Sequence, residues 1–144
     1  GGVWNVPADR VKGREGKTAD FRGPLSGPAL DIVEDARAFG LDYLFVGHRG
    51  RPVSSRGVEK YLDRLKEAGR PHGFRTSFRT WVQETDACSW EVSETILGHT
   101  IGNSVERSYA RSDLLERRRP VMEAWARHVT GVESSVVTPI RSAD

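Results

Sequence analysis

The sequence of 144 residues contains very little sulfur, with one cysteine, Cys88, and one methionine. A lone cysteine cannot form a disulfide within the chain or a metal site of several thiolates, so a disulfide-stapled extracellular scaffold is excluded and a reducing compartment is favoured. No apolar run approaches the ~18 residues of a membrane-spanning helix, and the first residues lack the basic-then-apolar pattern of a secretion signal. The sequence therefore predicts one globular cytoplasmic domain that depends on its apolar core.

Net charge is also small, because 22 Lys and Arg residues oppose 20 Asp and Glu residues for a total of +2. The charges are nevertheless grouped along the chain. Residues 48–81 hold nine basic and three acidic side chains, a net +6, whereas residues 82–106 hold five acidic and no Lys or Arg side chains, a net −5. A basic face of this kind would bind a polyanion in a salt-dependent way. Solvated helix faces are the alternative, and charge alone does not separate the two.

Hydrophobic periodicity predicts a mainly α-helical chain with a small N-terminal β-hairpin, formed by Val3–Pro7 and Phe21–Leu25 across a polar loop. The apolar run Tyr43–Val46 is either a short strand or a buried extended segment. Ser26 is the expected cap of the first helix, and either Ser54 or Ser55 caps the second. Helices are predicted over residues 27–39, from 54 or 55 to Gly69, and over 73–84, 90–97, 103–110 and 112–129, the last ended or kinked at Pro120.

The same spacing predicts which helix faces are buried. In the first helix the apolar positions are Leu30, Ile32, Val33, Ala36 and Phe39; in the second, Val58, Tyr61, Leu62 and Leu65; in the third, Phe74, Phe78, Trp81 and Val82; and in the last, Leu114, Leu115, Val121, Met122, Trp125 and Val129. Arg75 and Arg79 are one turn apart and are expected on one side of the third helix. The run Arg117–Arg119 is expected to be a solvated face.

Three short motifs carry chemistry when they are taken together. His72-Gly-Phe-Arg75 opens the third helix, Leu97-Gly-His99 ends the fourth, and Tyr109 follows ten residues later. Each alone is more often structural than catalytic. In combination they suit phosphoryl transfer, because an arginine fork neutralises phosphate oxygens and histidines donate hydrogen bonds or relay a proton to a weak tyrosine nucleophile.

In type, order and spacing these motifs resemble those of the tyrosine recombinase (phage integrase) family. The stretches HGFRTSFRTW, ILGHT and VERSYARSDLLERRRPVMEAW resemble its prophage and satellite-phage branch, and VWNVPADRVK with the later PLS resembles that branch's β-hairpin. The resemblance covers about residues 3–129. It implies the DNA breaking-rejoining catalytic-domain fold, incomplete at its N-terminal side, with residues 1–130 in that domain and 131–144 as a mobile or docking tail.

The resemblance also implies roles for single residues. Tyr109 would attack a DNA phosphodiester to form a 3′-phosphotyrosine, Arg75, His72 and His99 would hold the phosphate, and Lys12, or Lys17 on the same long loop, would protonate the leaving 5′-hydroxyl. Arg56, Lys60 and Arg79 are the candidate DNA-binding side chains. No cofactor or metal is implied. The expected partners are double-stranded attachment sites and further copies of the protein, in a synaptic tetramer on DNA, with no membrane partner.

One departure from the family pattern concerns its first catalytic arginine, which lies in a Thr-Gly-x-Arg-x-Gly-Glu stretch upstream of the hairpin. No such stretch occurs in these 144 residues, so the chain is expected to be a C-terminal piece, nearly inactive alone, with exposed apolar surface around the first helix and Trp4 that favours self-association. Two alternatives remain open: a non-catalytic basic helical DNA-binding module in which Tyr109 only packs, and a helical domain whose charge blocks serve protein contacts.

Overall fold

A computed structural model describes residues 2–11, 19–99 and 112–132. Within these ranges the chain is mainly helical with one small antiparallel sheet, which confirms the predicted mixture. Its elements in chain order are β1 (Val3–Val6), β2 (Phe21–Pro24), α1 (Gly27–Ala38), α2 (Ser55–Arg64), α3 (Gly73–Thr85), α4 (Trp90–Ile96) and α5 (Leu115–Thr130). None of the helices described here is long and apolar enough to cross a membrane.

The predicted β-hairpin is confirmed to within one residue at its ends. β1 and β2 pair antiparallel, with Val3 opposite Pro24 and Val6 opposite Phe21. A single 3-10 turn, Ala8–Arg10, follows β1 and starts the long connection to β2. Its residues 12–18, which include both candidate lysines, lie outside the described part of the chain. The sheet packs against α5, so the hairpin is fixed to the helix that follows the tyrosine motif.

The core lies where α3, α4 and α5 meet. Its buried apolar side chains are Phe78, Val82, Val92, Leu97 and Val121. Trp81 and Trp125 pack against them, with their ring centroids 5.3 Å apart. The predicted apolar face of α3 is therefore right at three positions and wrong at Phe74, which is 66% exposed. The core covers α3 from Phe78 to Val82, and Phe74 in the first turn extends beyond it.

Helix α1 forms where it was predicted, but two details differ. Ser26 occupies the cap position without a side-chain capping bond, and the Glu123 carboxylate of α5 accepts a hydrogen bond of 2.9 Å from the Gly27 amide in its place. Of the predicted apolar stripe only Ala36 is buried, whereas Ile32 and Phe39 are exposed. Together with an exposed Trp4, these side chains form the apolar surface expected in this region.

Helix α2 is shorter and less buried than the sequence predicts. Ser54 is its cap, since its hydroxyl accepts a 3.1 Å hydrogen bond from the Gly57 amide. The helix ends at Arg64 rather than near Gly69 because Lys66 adopts a left-handed conformation with φ of 58°. Three of its four predicted stripe residues, Val58, Tyr61 and Leu65, are exposed.

The segment Tyr43–Val46 is neither a strand nor buried. Tyr43, Leu44 and Phe45 are all exposed, and Val46 forms one isolated bridge with Pro52. A run of apolar residues needs a neighbouring surface to be buried, and among the described residues no strand lies beside this one.

Helix α5 corrects four further expectations. It begins at Leu115 instead of Ser112. It also continues through Pro120 as one element, because Pro120 lies near the N-terminal end of the helix, where its missing N–H removes a single backbone hydrogen bond. Arg118 is not solvated: it is 1% exposed and is the most buried large side chain described. Val129, at the far end of the helix, is exposed although it belongs to the predicted stripe. The predicted helix 103–110 and the tail beyond residue 132 lie outside the described residues.

Candidate phosphate-binding site

A cavity of about 780 Å³ lies between the first half of α3 and the turn that ends α4. It contains three of the side chains predicted to act on a phosphate. Its lining residues are Val11, His72, Arg75, Thr76, Arg79, Leu97, Gly98 and His99. The cavity therefore brings together the His72–Arg75 motif and the Leu97–His99 motif, which are more than twenty residues apart in the sequence.

Helix α3 supplies one wall of the cavity. His72 occupies its N-cap position, and Arg75 and Arg79 follow on one side of the helix, as their spacing of four residues predicts. Because the adjoining side of α3 carries the buried Phe78 and Val82, the helix cannot rotate without exposing its core residues. The apolar pattern thus determines which way the two arginines point.

The end of α4 supplies the other wall. Gly98 adopts a left-handed conformation with φ of 68°, which glycine accommodates without the steric cost that a side chain brings. The turn lets the His99 amide donate a 2.9 Å hydrogen bond to the Glu94 carbonyl. His99 is thereby brought back over the last turn of α4, toward α3. The Leu-Gly-His motif therefore contains a glycine because the backbone at its centre is left-handed.

Arg75 and His99 are in direct contact. The Arg75 Nη2 atom lies 2.7 Å from His99 Nε2 and also donates a 2.7 Å hydrogen bond to the Leu97 carbonyl. Arg75 is half-buried and His99 is exposed. Two groups that the sequence predicts to hold one phosphate thus lie side by side at the cavity surface.

Sequence analysis did not identify Glu94, whose carboxylate lies behind His99. Glu94 is 8% exposed, its Oε2 lies 2.7 Å from His99 Nδ1, and its Oε1 accepts a hydrogen bond from Arg79. Burial is the largest single influence and raises the pKa of Glu94. The hydrogen bond from His99, with the charge and hydrogen bond of Arg79, outweighs it, so the pKa is lower than its ordinary value.

Of the remaining predicted site residues, one lines the cavity and three lie outside the described part of the chain. His72 lines the cavity with an exposed side chain. Val11 also lines it and is the residue before Lys12 in the sequence. Lys12, Lys17 and Tyr109 themselves lie outside the described residues.

The three candidate DNA-binding residues do not share one patch. Arg79 lines the cavity and pairs with Glu94. Arg56 is exposed on α2, and Lys60 lines a separate cavity of about 560 Å³ beside Tyr61 and Arg64. In residues 2–11, 19–99 and 112–132, no three His, Cys, Asp or Glu side chains gather where they could hold a metal ion.

An ionic cluster joins the hairpin to the start of α5. Arg22 on β2 makes two hydrogen bonds, of 2.8 and 3.0 Å, with the Asp113 carboxylate. Arg118 Nη2 lies 3.5 Å from the same carboxylate and donates a 2.5 Å hydrogen bond to the Arg22 carbonyl, while its guanidinium covers the Phe21 ring at 5.4 Å. Asp113 is four residues after Tyr109 in the sequence, so the chain leaving the tyrosine motif is anchored to the hairpin.

The chain is similar in sequence to several known proteins. It is 34% identical to prophage integrase IntA of Escherichia coli strain K12 over 140 residues, and 26% identical to prophage integrase IntZ of the same strain over 140 residues. It is 32% identical to tyrosine recombinase XerC of Lacticaseibacillus casei strain BL23 over 92 residues, 60% of the chain.

The chain spans about a third of the length of these relatives: the matched part is 33% of IntA, 34% of IntZ and 30% of XerC. No family model and no solved structure matches it. The match to IntA covers 93% of the chain and agrees with the resemblance that its motifs carry. Together these homologues support the tyrosine recombinase, or phage integrase, family as the family of this chain.

Proposed function

We propose that the chain carries out site-specific DNA recombination, cleaving and rejoining strands through a 3′-phosphotyrosine intermediate. The observation that carries this proposal is the convergence of His72, Arg75 and His99 on one open cavity, with Arg75 and His99 2.7 Å apart. The names of the relatives, prophage integrase and tyrosine recombinase, support DNA recombination in general. The fold proposed for the chain is accordingly that of the recombinase catalytic domain, over residues 1–130, with residues 131–144 as a tail.

The proposed reaction has two balanced steps. In the first, the Tyr109 oxygen attacks phosphorus while the bond from phosphorus to the 5′-oxygen breaks. The phenol proton passes to His99, and Lys12 protonates the leaving 5′-oxygen to give a free 5′-hydroxyl. In the second, a 5′-hydroxyl oxygen of another strand attacks phosphorus while the bond from phosphorus to the Tyr109 oxygen breaks. The hydroxyl proton passes to Lys12, and His99 returns a proton to the released Tyr109. The covalent link conserves the bond energy, so no nucleotide cofactor is needed.

The cavity suits the charge that develops at phosphorus. The Arg75 guanidinium stays charged throughout and can bind two phosphate oxygens, and the His72 ring can donate to a third. Arg79 lies on the same wall of the cavity, paired with the Glu94 carboxylate. We assign the leaving-group proton to Lys12 rather than Lys17, because Lys12 follows Val11, which lines the cavity.

The experiment that tests this function is covalent trapping on a nicked DNA substrate that cannot be religated. The 144-residue chain replaces the matched 140 residues of the prophage integrase IntA, so that the remaining two thirds come from that protein. We expect the graft to form a protein–DNA adduct that survives denaturing gel electrophoresis, and the Tyr109→Phe graft, which lacks the nucleophilic oxygen, to form none.

Tyr43→Phe, which removes an exposed phenol away from the cavity, is the matched control and should leave adduct formation unchanged. Equal adduct with and without the Tyr109 hydroxyl would contradict the proposal. A graft that binds DNA but never links to it would favour the alternative of a non-catalytic DNA-binding module. The chain by itself is expected to form far less adduct than the graft, because its sequence holds no Thr-Gly-x-Arg-x-Gly-Glu stretch to supply a second phosphate-binding arginine.

The proposed partners are double-stranded attachment sites and further copies of the protein on DNA. The exposed apolar side chains of α1 and β1, Ile32, Phe39 and Trp4, support the proposal that the isolated chain self-associates.

A further inference from the structure

The contacts of His99 determine which of its two ring nitrogens carries the proton. Nδ1 faces the Glu94 Oε2 atom at 2.7 Å, and a carboxylate oxygen can only accept a hydrogen bond. Nε2 faces Arg75 Nη2 at 2.7 Å, and a guanidinium can only donate. Both contacts are satisfied together by one neutral form of the ring, with the proton on Nδ1 and a lone pair on Nε2.

The two oxygens of Glu94 are both engaged. Oε2 accepts a hydrogen bond from His99 Nδ1–H, while Oε1 accepts one from Arg79 Nη2. Arg79 Nη2 lies 3.4 Å from His99 Nδ1, so an Arg79 side chain freed from Glu94 would compete for this ring nitrogen as a donor. The buried carboxylate therefore keeps the Arg79 donor away from Nδ1 while it holds the Nδ1 proton.

We infer that Glu94 is a positioning residue, which fixes the Nδ1–H tautomer of His99 and presents the Nε2 lone pair to the cavity as a proton acceptor. Its consequence for catalysis rests on the proposed function: a phosphate that draws Arg75 away would leave Nε2 free to take the Tyr109 proton. The orientation of an imidazole base by a carboxylate at its other nitrogen is a general device of enzymes.

The substitution Glu94→Gln tests this directly, because glutamine keeps the shape of the side chain but has only one oxygen. If that oxygen stays with the charged Arg79, the amide nitrogen faces Nδ1 and forces the proton to Nε2, against the Arg75 donor. We expect two-dimensional nitrogen-15 NMR of the 144-residue chain at pH 8 to show the Nδ1–H form of His99 in the unsubstituted protein and a loss of that form in Glu94→Gln.

The matched control is Glu91→Gln, on the same helix, where the carboxylate is exposed and lies 4.0 Å from Arg117. It should leave the His99 tautomer unchanged. In the IntA graft, Glu94→Gln should slow adduct formation on the order of 10- to 100-fold, and Glu94→Asp, which keeps both oxygens, should recover part of the rate and of the Nδ1–H signal.

An Nε2–H or doubly protonated His99 in the unsubstituted chain would overturn the inference, as would an unchanged tautomer in Glu94→Gln. If Glu94→Gln does not fold, Glu94→Asp and the unsubstituted spectrum decide the matter. These spectra need no DNA. Failure of Tyr109 to form an adduct would therefore remove the proposed function while leaving the tautomer result intact, and the two failures are distinguishable.

Discussion

Arg118 shows at the scale of one residue how far a side chain can depart from its pattern. It lies within a run of three arginines, yet it is 1% exposed, and its Nε and Nη1 atoms have no hydrogen-bond partner among the described residues. Burial is the largest influence on its pKa, which it lowers. A buried cation depends on its counter-charge, so the nearby Asp113 carboxylate compensates a cost that solvated arginines do not have.

We expect Asp113→Asn to lower the free energy of unfolding by about 1–3 kcal/mol. The substitution removes that counter-charge but keeps the shape of the side chain and the oxygen that accepts a 3.2 Å hydrogen bond from the Leu115 amide. Arg118→Met, which removes the buried charge and retains a side chain of similar length, should lower the free energy of unfolding by less than Asp113→Asn does. Denaturant unfolding monitored by circular dichroism measures both.

The control is the double substitution. In the Arg118→Met background, Asp113→Asn should cost less than it does alone, because the cation it would strand is absent. A larger loss from Arg118→Met than from Asp113→Asn would contradict this account of the cluster.

Helix α2 illustrates, at the scale of an element, a helix whose stability depends on its own ends. Its apolar side chains Val58, Tyr61 and Leu65 are exposed, so tertiary packing covers little of it. Short helices without a packed face are marginal in water. The Ser54 cap, which satisfies one amide of the first turn, therefore contributes a large part of what holds this helix.

Ser54→Ala is expected to weaken α2 by about 1 kcal/mol, the usual contribution of a serine cap. Amide hydrogen exchange of residues 57–64 should speed up, while the core amides of α3 stay protected. Ser55→Ala serves as the matched control, because Ser55 is the first helical residue and an alanine there favours the helix. Equal acceleration in both variants would contradict the assignment of Ser54 as the cap.

At the scale of the whole molecule, acid stability depends on carboxylates whose pKa is lowered by the fold, and Glu94 and Asp113 are two of them among the described residues. The pKa of Glu94 lies below its ordinary value of 4.5 for the reasons given above, and the pKa of Asp113 lies below 3.8, chiefly because of its hydrogen bond with Arg22. The unfolded chain therefore takes up protons at a higher pH than the folded chain. Both groups stabilise the fold above their ordinary pKa values, and this stability is lost as the pH falls through the lower folded values.

We predict that the free energy of unfolding of the 144-residue chain is level above about pH 5 and declines below it. The decline should be shallower in Glu94→Gln, since that variant has one fewer group to protonate, and unchanged in the Glu91→Gln control. Urea unfolding at a series of pH values between 3 and 7 measures the slopes. An identical slope in Glu94→Gln and the unsubstituted chain would refute the prediction.

The local sequence pattern was sufficient to predict the hairpin, the positions of α1, α3 and α4, and the placement of Arg75 and Arg79 on one side of α3. These features depend on caps, turns and spacing along one element, which neighbouring residues determine. The burial predicted for the run Tyr43–Val46 and for the apolar stripe of α2 was wrong. An apolar pattern shows which side chains could be buried but not whether another element covers them.

What the sequence alone determined about this protein is its mainly helical character, the motifs His72–Arg75 and Leu97–His99 and, through them, its family resemblance. Only the tertiary structure decided that these motifs share one cavity, that Glu94 stands behind His99, and that Arg118 is buried beneath the hairpin. The reason is physical: Glu94 and Arg118 are charged residues in polar stretches, and only contacts with side chains from other elements, Arg79 in one case and Asp113 and Phe21 in the other, make their burial favourable.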